Sequence, residues 1–164
     1  KTKYKNLLTI IIPRHINRTE TIANDLRKLN LKVHLHSSQK RINSNTDIYL
    51  VDVYGKTKSF FKFCKIVFLG GSMIKHGGQN PLEAARYGCR ILHGPNIWNF
   101  NEIYKLLNSY NISIKINNIN QMVNNVDELF KKKANFNNKN FKIKILGNKI
   151  LNLTLKEVNF FVNK

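Results

Sequence analysis

The chain has 164 residues, one domain's worth and enough for a sizeable core. Hydrophobic residues make up 42%, ordinary for a globular protein, and no apolar run approaches the ~20 residues of a membrane span. The formal charge of +19 favours anionic partners, whether nucleic acid, anionic lipid or phosphorylated substrate. Composition offers a second account of that charge. Lys, Asn and Ile are abundant throughout, as AT-rich coding would produce, and only Lys131-Lys132-Lys133 forms a tight basic run, with no nucleic-acid motif beside it.

The N-terminus is charged, lacks an initiator Met and a signal-peptide core, and runs straight into a strand, which we read as a segment of a longer protein. Residues 7–12 are apolar and β-branched up to Pro13, which predicts a buried strand. Asn17 to Glu20 starts a predicted helix with Ile22, Ala23, Leu26 and Leu29 at helical spacing. Residues 32–35 and 47–51 read as strands, separated by a polar loop at 37–45. A short helix over 57–64 carries Phe60, Phe61 and Phe63. Residues 66–69 form a fourth strand that ends on Gly70-Gly71-Ser72.

A linker with a second glycine pair, Gly77-Gly78, leads to Asn80-Pro81. Asn at the cap, Pro at the first helical position and Gly88 past the end predict a helix over 81–87. Residues 90–93 are a fifth strand closed by Gly94-Pro95, and 100–108 a helix with Ile103, Leu106 and Leu107 on one face. A sixth strand over 113–116 and a helix over 119–132 follow. The sequence divides into a Rossmann-like domain at 1–134 and a mostly helical tail at 135–164, with a linker at Asn137 to Asn140 and a break at Gly147.

Short apolar strands alternating with helices predict an α/β fold, a doubly wound parallel sheet with helices on both faces and strand one central. Ligands in such sheets sit at the carboxyl ends of the strands, so the loops at 13–18, 52–56 and 70–80 are expected to converge. Glycines there let a backbone approach a phosphate, and a helix start favours its charge. The same glycine pairs also suit an ordinary strand-to-helix turn, and Asn80 with Glu83 suits a capping box. Spacing alone leaves both readings open.

Arg14 and Arg18 are candidates for forked hydrogen bonds to phosphate or carboxylate, and His15 for a donor to a phosphate oxygen. His76 and His93 flank the proposed site, while His34 and His36 share a strand face without a further ligand at metal spacing. Cys64 and Cys89 read as reduced core thiols. Acidic residues total 9, with no carboxylate pair and no Ser-His-Asp order, so no catalytic base is assigned in this chain.

Pro13-Arg14-His15 with Arg18, Asp52 with Gly55, Phe68 with Gly70-Gly71-Ser72, Gly77-Gly78 with Asn80-Pro81-Leu82-Glu83, and Gly94-Pro95 with Asn99-Phe100 occur in one order and spacing. That pattern, over roughly residues 7–109, resembles the 3-deoxy-D-manno-octulosonic acid (Kdo) transferases of lipopolysaccharide synthesis. The resemblance implies the C-terminal, donor-binding half of a GT-B glycosyltransferase, which transfers Kdo from CMP-Kdo to a lipid A precursor with inversion at the cytoplasmic face of the inner membrane. It implies that the base lies in an N-terminal acceptor domain, that this segment is soluble and inactive alone, and that neither cofactor nor metal is required. Carried onto this sequence, the substrate-binding set is Arg14, His15, Arg18, Gly71, Ser72, Gly78, Gln79, Asn80, Pro81 and Glu83, with Glu83 on the ribose hydroxyls. Gln79 stands where the family commonly has His, and Lys56 where it commonly has Glu. The alternatives are a UDP-sugar enzyme of the same fold and a basic nucleic-acid-binding module. With the family reading in place, nucleic acid is not expected as a partner.

Overall fold

The computed structural model describes residues 4, 6–131 and 159. The chain forms two compact units, Lys1–Ser59 and Phe60–Lys164. Apart from Asn159, the expected linker and helical tail at 135–164 lie outside the described residues, as do Lys132 and Lys133 of the basic run.

In the first unit, β1 (Thr9–Ile11), β2 (Val33–Leu35) and β3 (Ile48–Leu50) make a parallel sheet of order β1-β3-β2. Thr9 pairs with Ile48 and Val33 with the same Ile48, so β3 is bonded on both edges. Strand one lies at an edge of this three-stranded sheet. The middle strand has both edges inside, and Leu50 and Val51 are fully buried while Thr9 is exposed. Helix α1 (Thr19–Lys28) lays Ile22, Ala23 and Leu26 against Ile11, Val33, Leu35, Ile48 and Leu50. The α-helix proper begins at Thr19, within the expected start at Asn17 to Glu20. A 3-10 turn over Ile16–Arg18 leads in, and the Thr19 amide donates to the Ile16 carbonyl.

Helix α2 (Thr57–Phe61) joins the first sheet to the second, where β4 (Ile66–Leu69), β5 (Arg90–His93) and β6 (Ser113–Lys115) run parallel in the order β4-β5-β6. Between them lie α3 (Leu82–Arg86) and α4 (Asn101–Ser109), and α5 (Ile119–Lys131) follows. Side chains alternate along β5. Ile91 packs with Leu69, Ala84, Ala85, Tyr104 and Leu107, while Leu92 packs with Ile116, Met122, Val126 and Leu129. Helices thus cover both faces of this sheet, as the unbroken apolar strands require. On α4 the buried face is Tyr104 and Leu107; Leu106, expected on that face, is exposed.

Three helices end alike, on a residue in the left-handed region. Asn30 (φ 59) closes α1, Gly88 (φ 80) closes α3 and Asn111 (φ 52) closes α4. At each, the left-handed residue and its successor donate back to the last turn, as in Gly88 to Ala85 at 3.0 Å and Cys89 to Ala84 at 3.1 Å. Asparagine is the side-chain-bearing residue that best tolerates this conformation, so an Asn-rich chain uses it beside glycine. Among the described residues, no helix is long and apolar enough to cross a membrane.

Candidate functional site

β4 and β5 bring their carboxyl ends side by side in the second unit, and one side chain locks the loops that leave them. Ser72 is fully buried; its Oγ donates to the Leu69 carbonyl at 2.8 Å and accepts the Gly94 amide at 2.8 Å. Its carbonyl accepts the Asn96 amide at 2.9 Å and Asn96 Nδ2 at 3.2 Å. The Ser72 hydroxyl is therefore committed inside the protein and shapes the loop from within.

Residues 70–80 fold back on themselves. Gly71 has φ +80, and a Cβ there would lie 2.6 Å from the Gly77 carbonyl oxygen. Gly77 has φ +87, and a Cβ on it would press on the Asn99 carboxamide at 3.1–3.2 Å. Both the angle and the space demand glycine. The Asn99 carboxamide holds the next residue by both polar groups. Oδ1 accepts the Gly78 amide at 3.0 Å, and Nδ2 donates to the Gly78 carbonyl at 2.9 Å. Tyr104 Oη donates to the Gln79 carbonyl at 3.1 Å.

The ring of Tyr104 meets that of His93, with centroids 4.3 Å apart. Burial pushes the Tyr104 hydroxyl up to about 12, so it is a donor at neutral pH. Burial also lowers His93 below its ordinary 6.5; the Lys115 charge adds to this, and a bond to the Gly94 carbonyl partly opposes it. Because a carbonyl only accepts, the 2.7 Å contact from His93 Nδ1 to Gly94 fixes the proton on Nδ1. These two rings are neutral supports beneath the loop's backbone, and neither is poised as an acid or base.

The loop then enters α3. Asn80 Oδ1 accepts the Leu82 amide at 3.0 Å, and Pro81 already has helical angles (φ −82, ψ −12) with its carbonyl bonded to the Ala85 amide at 3.0 Å. Pro81 thus stands at the N-cap of α3, one position earlier than the expected first helical residue, and Asn80 caps the Leu82 amide from the residue before it. The start of the helix offers few free donors. Pro81 has no N–H, the Leu82 amide is committed to Asn80, and α3 has only 5 residues. The preformed loop backbone is the larger part of the candidate site. Glu83 sits half-buried on the first turn.

Gly71, Ser72, Gly78, Gln79, Asn80, Pro81 and Glu83 therefore share one loop and helix start of the second unit, while Arg14, His15 and Arg18 belong to the first. These three are exposed on the turn from β1 into α1. The loop at 52–56 is also in the first unit. Asp52 accepts the Ser37 amide at 2.9 Å and the Ser37 hydroxyl. Burial raises the Asp52 carboxyl, but the Ser37 bonds and the nearby His36 outweigh it and leave the group below its ordinary 3.8. Gly55 turns there at φ +78, and Lys56 is exposed.

His34 stacks on Tyr49 with centroids 5.3 Å apart, and His36 Nδ1 lies 2.9 Å from the Tyr49 hydroxyl. Cys89 is buried, its thiol directed at the Cys64 carbonyl at 3.1 Å and pushed up to about 12 chiefly by burial. Sequence reasoning places Asn99 within a motif but gives it no role, and it misses Asn96 and Tyr104. Their adjacency to the loop comes from β5 and α4 lying against it, with no local pattern that shows it.

Two α/β units, each built on a three-stranded parallel sheet, with a glycine loop at the strand ends of the second, define a Rossmann-like α/β fold. The crystal structure of the C-terminal CMP-Kdo binding domain of WaaA from Acinetobacter baumannii matches with a TM-score of 0.79 over 87% of this chain and 75% of that one, at 24% identity. The 3-deoxy-D-manno-octulosonic acid transferase of Haemophilus influenzae is 36% identical over 105 residues, which is 64% of this chain and 25% of that protein. That of Rickettsia prowazekii is 33% identical over 129 residues, 79% of this chain and 28% of that protein. No family model matches the chain. Over these residues the chain is similar to 3-deoxy-D-manno-octulosonic acid transferases, and it spans about a quarter of the length of the curated relatives it matches.

Proposed function

We propose that this chain is the donor-binding part of a glycosyltransferase that moves Kdo from CMP-Kdo to a lipid A precursor with inversion. The observation that carries the reading is the preformed loop at residues 70–80, in a chain related to Kdo transferases and folded like a domain described as CMP-Kdo binding. In the reaction, an acceptor hydroxyl attacks the anomeric carbon of Kdo, the bond to the CMP phosphate breaks, and CMP leaves as the base takes the hydroxyl proton. Residues of this chain meet the charge of the leaving phosphate through backbone N–H groups fixed in advance, which need no reorganisation as that charge grows.

Individual residues divide that work. Gly71, Ser72, Gly78, Gln79, Asn80 and Pro81 form the phosphate-side loop, with Ser72 and Gly78 shaping it rather than donating. Glu83 accepts from the ribose hydroxyls. Arg14, His15 and Arg18, on the first unit, complete the proposed donor-binding set as candidate anion contacts. The catalytic base lies in an acceptor domain outside these 164 residues, at the cytoplasmic face of the inner membrane in the full-length protein. On its own the segment binds donor without transferring Kdo, and no metal takes part in binding. Calorimetry of the chain with CMP, UMP and a short oligonucleotide tests the reading. CMP is expected to bind best; preference for the oligonucleotide would overturn it, and preference for UMP would point to a UDP-sugar enzyme.

A further inference from the structure

We propose that Asn99 is a positioning residue: its carboxamide sets the backbone of Gly77-Gly78 in the form that receives a nucleotide phosphate. Its ligand rests on the donor-binding reading; the clamp itself does not. The two bonds to Gly78, at 3.0 and 2.9 Å, pair an amide side chain with both main-chain groups of one residue, as a neighbouring strand would. Such pairing fixes the orientation of two successive peptide planes. Gly77 at φ +87 lies against the same carboxamide, and a Cβ on Gly78 would lie 3.0 Å from Ile97 Cγ2. The loop is thus pressed on the turn at residues 97–99 and stitched to it at one point.

Because the Gly78 N–H is given to Asn99, it is not the donor that meets a phosphate. Asn99 acts through the loop and touches no ligand. Asn99 is an exposed residue on the 3-10 turn Trp98–Phe100; Ile97 and Phe100 beside it pack on the core, but Asn99 itself belongs to neither packed cluster of the second sheet, so removing its carboxamide leaves the core intact.

Asn99→Ala in the whole chain separates this role from a general structural one. Amide hydrogen exchange without ligand should quicken at Gly78 and its neighbours and stay unchanged in β4 and β5. Affinity for CMP should fall about tenfold, the scale of losing a bond or two in a preformed site, while affinity for cytidine, which lacks the phosphate, should hold. Asn99→Asp keeps the acceptor for the Gly78 amide and loses the donor to its carbonyl, so its loop exchange should lie between wild type and Asn99→Ala. Unchanged loop exchange in both variants overturns the clamp. Quickened exchange with equal losses for CMP and cytidine overturns the phosphate-positioning role. If the wild-type chain binds no CMP, the donor reading falls and the positioning role falls with it, while the clamp still stands or falls on the exchange data.

Discussion

Ser72 and Gly94 are joined so closely that a side chain at Gly94 has no room beside the Ser72 backbone. The Gly94 amide donates to Ser72 Oγ at 2.8 Å, and a Cβ on Gly94 would lie 2.3 Å from the Ser72 carbonyl oxygen. The obstacle is backbone, which cannot swing aside as a long side chain can. The contact welds the loop after β4 to the strand end of β5, and so sets where residues 70–80 begin.

Ser72→Ala should therefore lower stability by about 1–3 kcal/mol in urea unfolding, because the buried Gly94 amide loses its acceptor. Gly94→Ala should be worse, since its Cβ forces β4 and β5 apart at their carboxyl ends. Wild-type midpoints for both would show that the weld carries no stability.

Arg14 is exposed on the turn into α1, so its removal should leave the fold unchanged. Calorimetry of Arg14→Ala should show CMP binding weakened by about 1.5–3 kcal/mol, the range for hydrogen bonds to charged groups. An unchanged affinity removes Arg14 from the donor site.

Glu83 offers two roles that one substitution separates. Glu83→Gln keeps a side chain able to bond within the first turn of α3 but weakens acceptance from ribose hydroxyls. Thermal midpoint should hold while CMP affinity falls. A lower midpoint with affinity intact would assign Glu83 to the helix alone.

His93 makes stability depend on pH in one direction. Its folded-state pKa is lowered below 6.5, chiefly by burial, so the unfolded chain takes up the proton first as pH falls. The contribution of the neutral ring is complete above 6.5 and is lost progressively below it, down through the lowered folded value. Urea unfolding from pH 7.5 downwards should show this slope, and His93→Phe, which keeps a ring against Tyr104, should flatten it just below 6.5. An equal slope in the variant would place the titrating group elsewhere.

Local chemistry makes much of the fold legible in the amino-acid order alone. The run Ile66–Leu69 is a strand of the expected bounds, because four apolar residues bounded by Lys65 and Gly70 suit nothing else of that length. Asn80, Pro81 and Gly88 punctuate α3 because capping, a fixed φ and a left-handed turn are properties of single residues. The glycine pattern is likewise readable, since φ near +80 at Gly71 and Gly77 is a demand few other residues meet.

Tertiary packing decided what those residues do. β3 became the middle of the first sheet through hydrogen bonds to two strands distant in sequence, which no window of residues records. On α4 Tyr104 and Leu107 share the face packed in the core while Leu106 faces out, and the inward Tyr104 hydroxyl meets the Gln79 carbonyl at 3.1 Å. Ser72 turned inward because β5 delivers the Gly94 amide beside it, and Asn99 reached Gly78 across a separation of 21 residues. Glycines alone permit many backbone paths. The loop takes one of them because Asn96 and Asn99, between β5 and α4, and Tyr104 of α4 supply the hydrogen bonds it cannot make to itself, and those partners come alongside only once the second sheet has formed.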